Sequence, residues 1–109
     1  MKRKLKGAFI FNQTNSGNLL GEFINNEKSV VITESADIDS ESLNSRPFIG
    51  SYLSTWREDE LYIYKLVIKS DSNSPLFHLT WSINSDQKEI FQGKGFLSNN
   101  ALVGYYWSI

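Results

Sequence analysis

Leu76-Phe77-His78-Leu79-Thr80-Trp81-Ser82-Ile83 is the stretch on which the fold turns. Phe77, Leu79, Trp81 and Ile83 alternate with His78, Thr80 and Ser82, the period of two with which a strand sends its side chains to opposite faces. The same period extends in both directions. Upstream, Leu61–Lys69 sets Tyr62, Tyr64, Leu66 and Ile68 against Lys65, Val67 and Lys69, and Phe48–Trp56 places Phe48, Gly50, Tyr52 and Trp56 in register. Downstream come Glu89–Leu97 and Ala101–Ile109, the latter with Val103, Tyr105, Trp107 and Ile109 on one face.

The N-terminal half repeats the pattern. Leu5–Phe11 aligns Leu5, Gly7, Phe9 and Phe11, while Leu19–Asn25 alternates Leu19, Gly21 and Phe23 with Leu20, Glu22 and Ile24. Ser29–Thr33 is short and β-branched, which suits a strand. Turn residues separate the segments: Asn12–Asn18, Asn25-Asn26-Glu27-Lys28, Arg57-Glu58-Asp59-Glu60, Ser70–Pro75, Asn84–Lys88 and Ser98-Asn99-Asn100. Asn25–Lys28 reads as a tight hairpin because Asn tolerates positive φ. Glu34–Pro47 is the one long polar segment and reads as a loop, with Ala36, Ile38 and Leu43 as its aliphatic residues. A single helical turn fits only within Ile38–Asn44.

Eight sequential strands with short links predict one all-β domain over residues 1–109. They protect their edges best by closing into an antiparallel up-and-down meander barrel, with a β-sandwich as the alternative. Glycine precedes an aromatic by two positions at Gly7-Ala8-Phe9, Gly21-Glu22-Phe23, Gly50-Ser51-Tyr52 and Gly104-Tyr105-Tyr106. Glycine lets a strand coil tightly, and an aromatic covers the gap it leaves. The C-terminal strand runs to the last residue, which predicts an end pinned in the sheet.

Composition narrows the function. A formal net charge of -1 provides no basic field for nucleic acid. With no Cys there is neither a disulfide framework nor a thiolate metal site. No window approaches the roughly 20 apolar residues of a helical membrane span. The basic opening Met1-Lys2-Arg3-Lys4-Leu5-Lys6 is followed by too short an apolar run for a signal sequence, and it reads as a solvated strand start. The expected setting is cytoplasmic, or that of a mature secreted chain.

Nothing is arranged for catalysis. His78 is the only histidine and lies opposite Phe77, Leu79 and Trp81, hence outward. Asp37, Asp39 and Glu41 alternate but lack the glycine and closing glutamate of a calcium loop. Glu58-Asp59-Glu60 reads as a solvated turn, and no Gly-x-Ser-x-Gly elbow is present. A non-enzymatic protein without metal or cofactor is expected.

The aromatic load points to binding. The chain holds 3 Trp, 5 Tyr and 7 Phe, and buried Trp and Tyr need partners for their N–H and O–H groups. In addition, Leu5-Lys6-Gly7-Ala8-Phe9 running into Asn12-Gln13-Thr14-Asn15-Ser16 is similar to the opening strand of the avidin family, and Ala101-Leu102-Val103-Gly104-Tyr105-Tyr106 to its closing strand. The resemblance implies a calycin-type barrel, as in lipocalins and avidins, that encloses a small ligand. It also implies that Asn12 and Ser16 sit at the open end, where that family uses an Asn and a Ser to hold the ureido oxygen of biotin. The pattern departs at the first-strand tryptophan, where Phe9 or Ile10 stands, and at the closing-strand acceptor, where Tyr106 stands.

The leading expectation is therefore a binding barrel for a small apolar or amphipathic molecule. Its cavity would be lined by some of Tyr52, Tyr64, Trp81, Tyr105 and Trp107, with Asn12 and Ser16 at the mouth and the 34–47 loop as a lid. The alternative is an interior filled by Phe9, Phe23, Phe77, Phe91, Phe96 and the Trp rings. Such a barrel would act as an inhibitor, a regulator or an interaction module, through its surface or that loop. Leu20, Ile24, Ile49, Leu53, Ile63 and Val67 would then form an apolar outer face for a protein partner or a second copy. Neither a nucleic-acid nor a membrane partner is expected.

Overall fold

A computed structural model describes residues 4–42, 46–83 and 88–109. The alternating segments of the sequence become eight strands: β1 (Lys6–Gln13), β2 (Leu19–Asn25), β3 (Lys28–Ile38), β4 (Gly50–Arg57), β5 (Leu61–Ser70), β6 (Phe77–Ile83), β7 (Glu89–Ser98) and β8 (Ala101–Ser108). Every strand pairs antiparallel with its sequence neighbours, and β1 pairs with β8, so the sheet closes into an eight-stranded up-and-down barrel. The sandwich alternative falls. The C-terminal segment is held from both sides, with Ser108 N donating to Leu5 O at 2.7 Å and Ile109 N to Ile90 O at 2.9 Å.

Closure of eight strands leaves an interior that side chains can fill. Phe11, Leu19, Leu66, Ile68, Leu79 and Leu102 occupy it, and all are fully buried. Phe96 does not join them: it points outward and is half exposed.

The glycines lie where strands crowd. A Cβ on Gly104 would stand 2.0 Å from Lys94 O, and one on Gly7 would stand 1.8 Å from Ile24 O. At Gly7, Gly21, Gly93 and Gly104 the ring comes from a paired strand, not from two residues on: Phe11 faces Gly21, Phe9 faces Gly104, and Tyr106 faces Gly7 and Gly93, whereas Gly50 pairs with Ile68 and no ring faces it.

Three expectations need correction. Glu34–Ile38 is not loop but the second half of β3, paired with Tyr52–Trp56. The inward positions there are held by Glu34, the small Ala36 and Ile38, so the period of two continues without an apolar signature. The connection proper begins at Asp39 and contains a 3₁₀ turn at Ser40–Ser42. Its middle, residues 43–45 and so Leu43, lies outside the described residues, as do Met1–Arg3 of the basic opening and most of the expected Asn84–Lys88 turn.

Second, β8 has the opposite phase: Leu102, Gly104 and Tyr106 face in, while Tyr105 is 55% exposed. Third, the Asn25–Lys28 hairpin works through its side chain, with Asn25 Oδ1 accepting from Glu27 N at 2.9 Å and Lys28 N at 3.0 Å. The positive φ falls instead on Asn99 (51°) and Asn100 (68°), the two central residues of the β7–β8 hairpin.

Candidate functional site

One end of the barrel is plugged. Phe48 follows Pro47 in a turn closed by Ile49 N donating to Arg46 O at 3.1 Å. Its φ of 67° is a conformation that Gly adopts at far lower cost. In return the ring is buried inside the barrel mouth. Gln13 and Tyr52 fix it: Phe48 N donates to Gln13 Oε1 (2.8 Å), and Tyr52 Oη donates to Phe48 O (2.9 Å) while accepting from Gln13 Nε2 (3.2 Å). Burial pushes the Tyr52 hydroxyl up to about 12, so it remains a neutral donor.

The opposite end, where β1 begins, holds a pocket. Phe9, Phe23, Trp56, Trp81, Phe91 and Tyr106 wall it, Glu34 lies within, and Leu5 and Glu58 stand at its rim. The rings meet mostly edge to face: Phe23 with Trp56 at 5.7 Å, Phe23 with Tyr106 at 5.9 Å, and Phe91 with Tyr106 at 5.8 Å. These spacings are those favoured by aromatic quadrupoles. The space left is narrow. About 20 Å³ is open to the centre of a water molecule, room for about one water-sized group.

Glu34 is the chemically unusual residue. It is 3% exposed, inside a wall of rings. Ser54 Oγ donates to Oε2, and Trp81 Nε1 donates to the same oxygen at 2.9 Å. Both bonds fall on one oxygen, which leaves Oε1 to the pocket. Removal from water raises the carboxyl to about 7, against the lowering effect of the Ser54 and Trp81 donors. Tyr106 is pushed up by burial and stays neutral, its Oη donating to Ile24 O at 3.3 Å.

The rim is acidic. Glu58 Oε1 accepts from Trp56 Nε1 at 3.2 Å, which orients the indole. Its other oxygen lies 3.7 Å from Lys28 Nζ, which also approaches Asp59 at 3.2 Å.

Of the seven residues singled out by sequence, Trp81 alone lines this pocket. Tyr64 backs its wall, 5.1 Å from Trp56 and 6.1 Å from Phe91. Tyr52 belongs to the plug at the other end. Asn12 is exposed on the outer face of β1, because Phe9, Phe11 and Gln13 hold the inner one. Ser16 is exposed in the β1–β2 turn, where its Oγ lies 2.9 Å from Thr14 Oγ1. Tyr105 and Trp107 share the outer face of β8, with ring centroids 5.6 Å apart.

Sequence reasoning missed Glu34, although a signal was present: it shares the parity of Ile32, Ala36 and Ile38. Among the described residues no cluster of three or more His, Asp or Glu side chains suits a metal ion. Compared with known proteins, the chain matches no family model, no curated protein and no solved structure.

Proposed function

We propose that this barrel is a calycin-like binding protein that takes part of a small amphipathic molecule into the aromatic pocket at its unplugged end. The observation that carries the reading is a carboxylate enclosed by aromatic rings with one oxygen left to the pocket. A core that needed only filling would be served better by an aliphatic residue at position 34, because burying a charged group costs stability. Retention of Glu34 fits a polar anchor for an occupant, with the rings supplying apolar contact. The narrow interior limits the enclosed part to a small head group, while the remainder of the ligand lies across Leu5 and Glu58.

Trp56 and Trp81 line the pocket, so tryptophan emission during a mixed small-ligand screen, with thermal melting in parallel, tests the reading. The expected result is a saturable emission change with a raised melting temperature, abolished in Phe23→Trp, which fills the pocket. A cooperatively melting protein that responds to no compound class would overturn it.

A second reading rests on the outer face. Ile24, Ala8 and Tyr105 are cross-strand neighbours, as are Ile10, Val103 and Phe96. Ile24, Tyr105 and Phe96 are each about half exposed (49%, 55% and 50%). Such a strip suits a protein partner, including a second copy of the chain.

A further inference from the structure

From the pocket's geometry we infer that its occupant carries a primary ammonium group, seated against Glu34 Oε1 within the ring of aromatic side chains. The inference rests on the pocket reading above and names the chemistry of the ligand. Three observations converge on it.

The first is donor and acceptor supply. Ser54 and Trp81 both donate to Glu34 Oε2, so the anchor still asks for a donor at Oε1. A carboxylate ligand would face Glu34 with no cation on the pocket wall. An alcohol supplies one donor without charge, and the buried carboxylate would remain uncompensated.

Second, the rings present π faces and edges to a space with no aliphatic wall except Leu5. Aromatic rings attract cations most strongly where water is excluded. Third, the room beyond the rim admits about one water-sized group. An ammonium fits there, whereas a trimethylammonium or a guanidinium is too large.

The titratable and charged groups that face Glu34 are few. Glu58 stands at the rim on the β4–β5 turn with Lys28 beside it, and Tyr106 reaches in from β8. Tyr64 on β5 lies behind Trp56. Burial raises both tyrosines, so neither changes charge between pH 5 and 8. An ammonium binds the ionised form of Glu34. With that carboxyl at about 7, affinity is nearly full at pH 8 and falls on the order of 100-fold by pH 5.

The test titrates the intact protein with n-hexylamine, 1-hexanol and hexyltrimethylammonium, following tryptophan emission and heat of binding at pH 5, 6, 7 and 8. Glu34→Gln runs alongside. Its amide oxygen still accepts from Ser54 and Trp81, so the barrel keeps its fold, and melting of the variant checks this. The expected result is saturable binding of hexylamine, at least tenfold tighter than hexanol, strengthening with pH through 7, and weakened at least tenfold in Glu34→Gln. Hexyltrimethylammonium should bind at least tenfold more weakly than hexylamine.

Equal binding of hexanol and hexylamine, unchanged in Glu34→Gln, would overturn the ammonium assignment and leave the binding pocket standing. Tight binding of hexyltrimethylammonium would also overturn it, since that head group cannot reach Oε1. No binding by these probes or by any other compound class would remove the pocket reading and the inference together.

Discussion

At the scale of single residues, Glu34 couples the barrel's stability to pH. Its carboxyl is raised to about 7 in the folded chain from an ordinary value of 4.5. Between those values the folded state holds a proton that the unfolded state has released, so stability falls as pH rises. The contribution is complete below the unfolded value and lost as pH passes the folded one. It amounts to on the order of 3 kcal/mol. Urea denaturation at pH 5 and 8 should show Glu34→Gln gaining stability relative to the parent at pH 8, with a flatter profile between. An unchanged difference between the two proteins across that range would mean the carboxyl is not buried as described. Gly104 sets the opposite kind of limit. Its Cβ would meet Lys94 O at 2.0 Å and Gly95 Cα at 2.7 Å, both backbone atoms that cannot swing aside. Gly104→Ala should therefore cost about 2 kcal/mol or more, read as a lowered urea midpoint.

At the scale of elements, strand existence was legible while strand phase was legible only in part. The clean alternation of Leu76–Ile83 fixes β6 because one face is polar. In β8 both faces are apolar, Leu102 and Tyr106 against Val103, Tyr105 and Trp107, so periodicity alone cannot choose between them. The glycine carries the missing information. Gly104 shares the inner face with Tyr106, as Gly7 does with Phe9, because space on that face is shortest. The second half of β3 was hidden for a different reason, a carboxylate and an alanine standing where apolar residues are expected. The candidate site was poorly legible from the same causes: the wrong phase of β8 promoted Tyr105 and Trp107, and the hidden half of β3 concealed Glu34. Turn chemistry can be tested at this scale. Asn99 and Asn100 both have positive φ, the arrangement in which Asn-Gly is preferred. Asn100→Gly should raise stability by a few tenths to about 1 kcal/mol, seen as a higher melting temperature without change in the emission spectrum.

For the whole molecule, the count and order of strands predicted closure, because an eight-stranded meander has no other short-linked way to remove both edges. Closure turns every inner side chain to one axis and leaves the outer face to solvent or to partners. The interior is so nearly filled that the molecule's larger binding area lies outside. There the strip through Ile24, Ala8 and Tyr105, continued by Ile10, Val103 and Phe96, crosses four strands, with Lys94 beside Tyr105 and Glu22 beside Ile10 at its two edges. These side chains contribute little to the core, so replacing them has a small effect on folding, while an interface built on them would be disrupted. The double variant Ile24→Lys with Tyr105→Lys should melt within about 0.5 kcal/mol per site of the parent and sediment as a monomer at every concentration. If the strip joins two copies, the parent should show concentration-dependent sedimentation that the variant lacks. A parent that stays monomeric to high concentration would exclude self-association and leave the strip to a different protein.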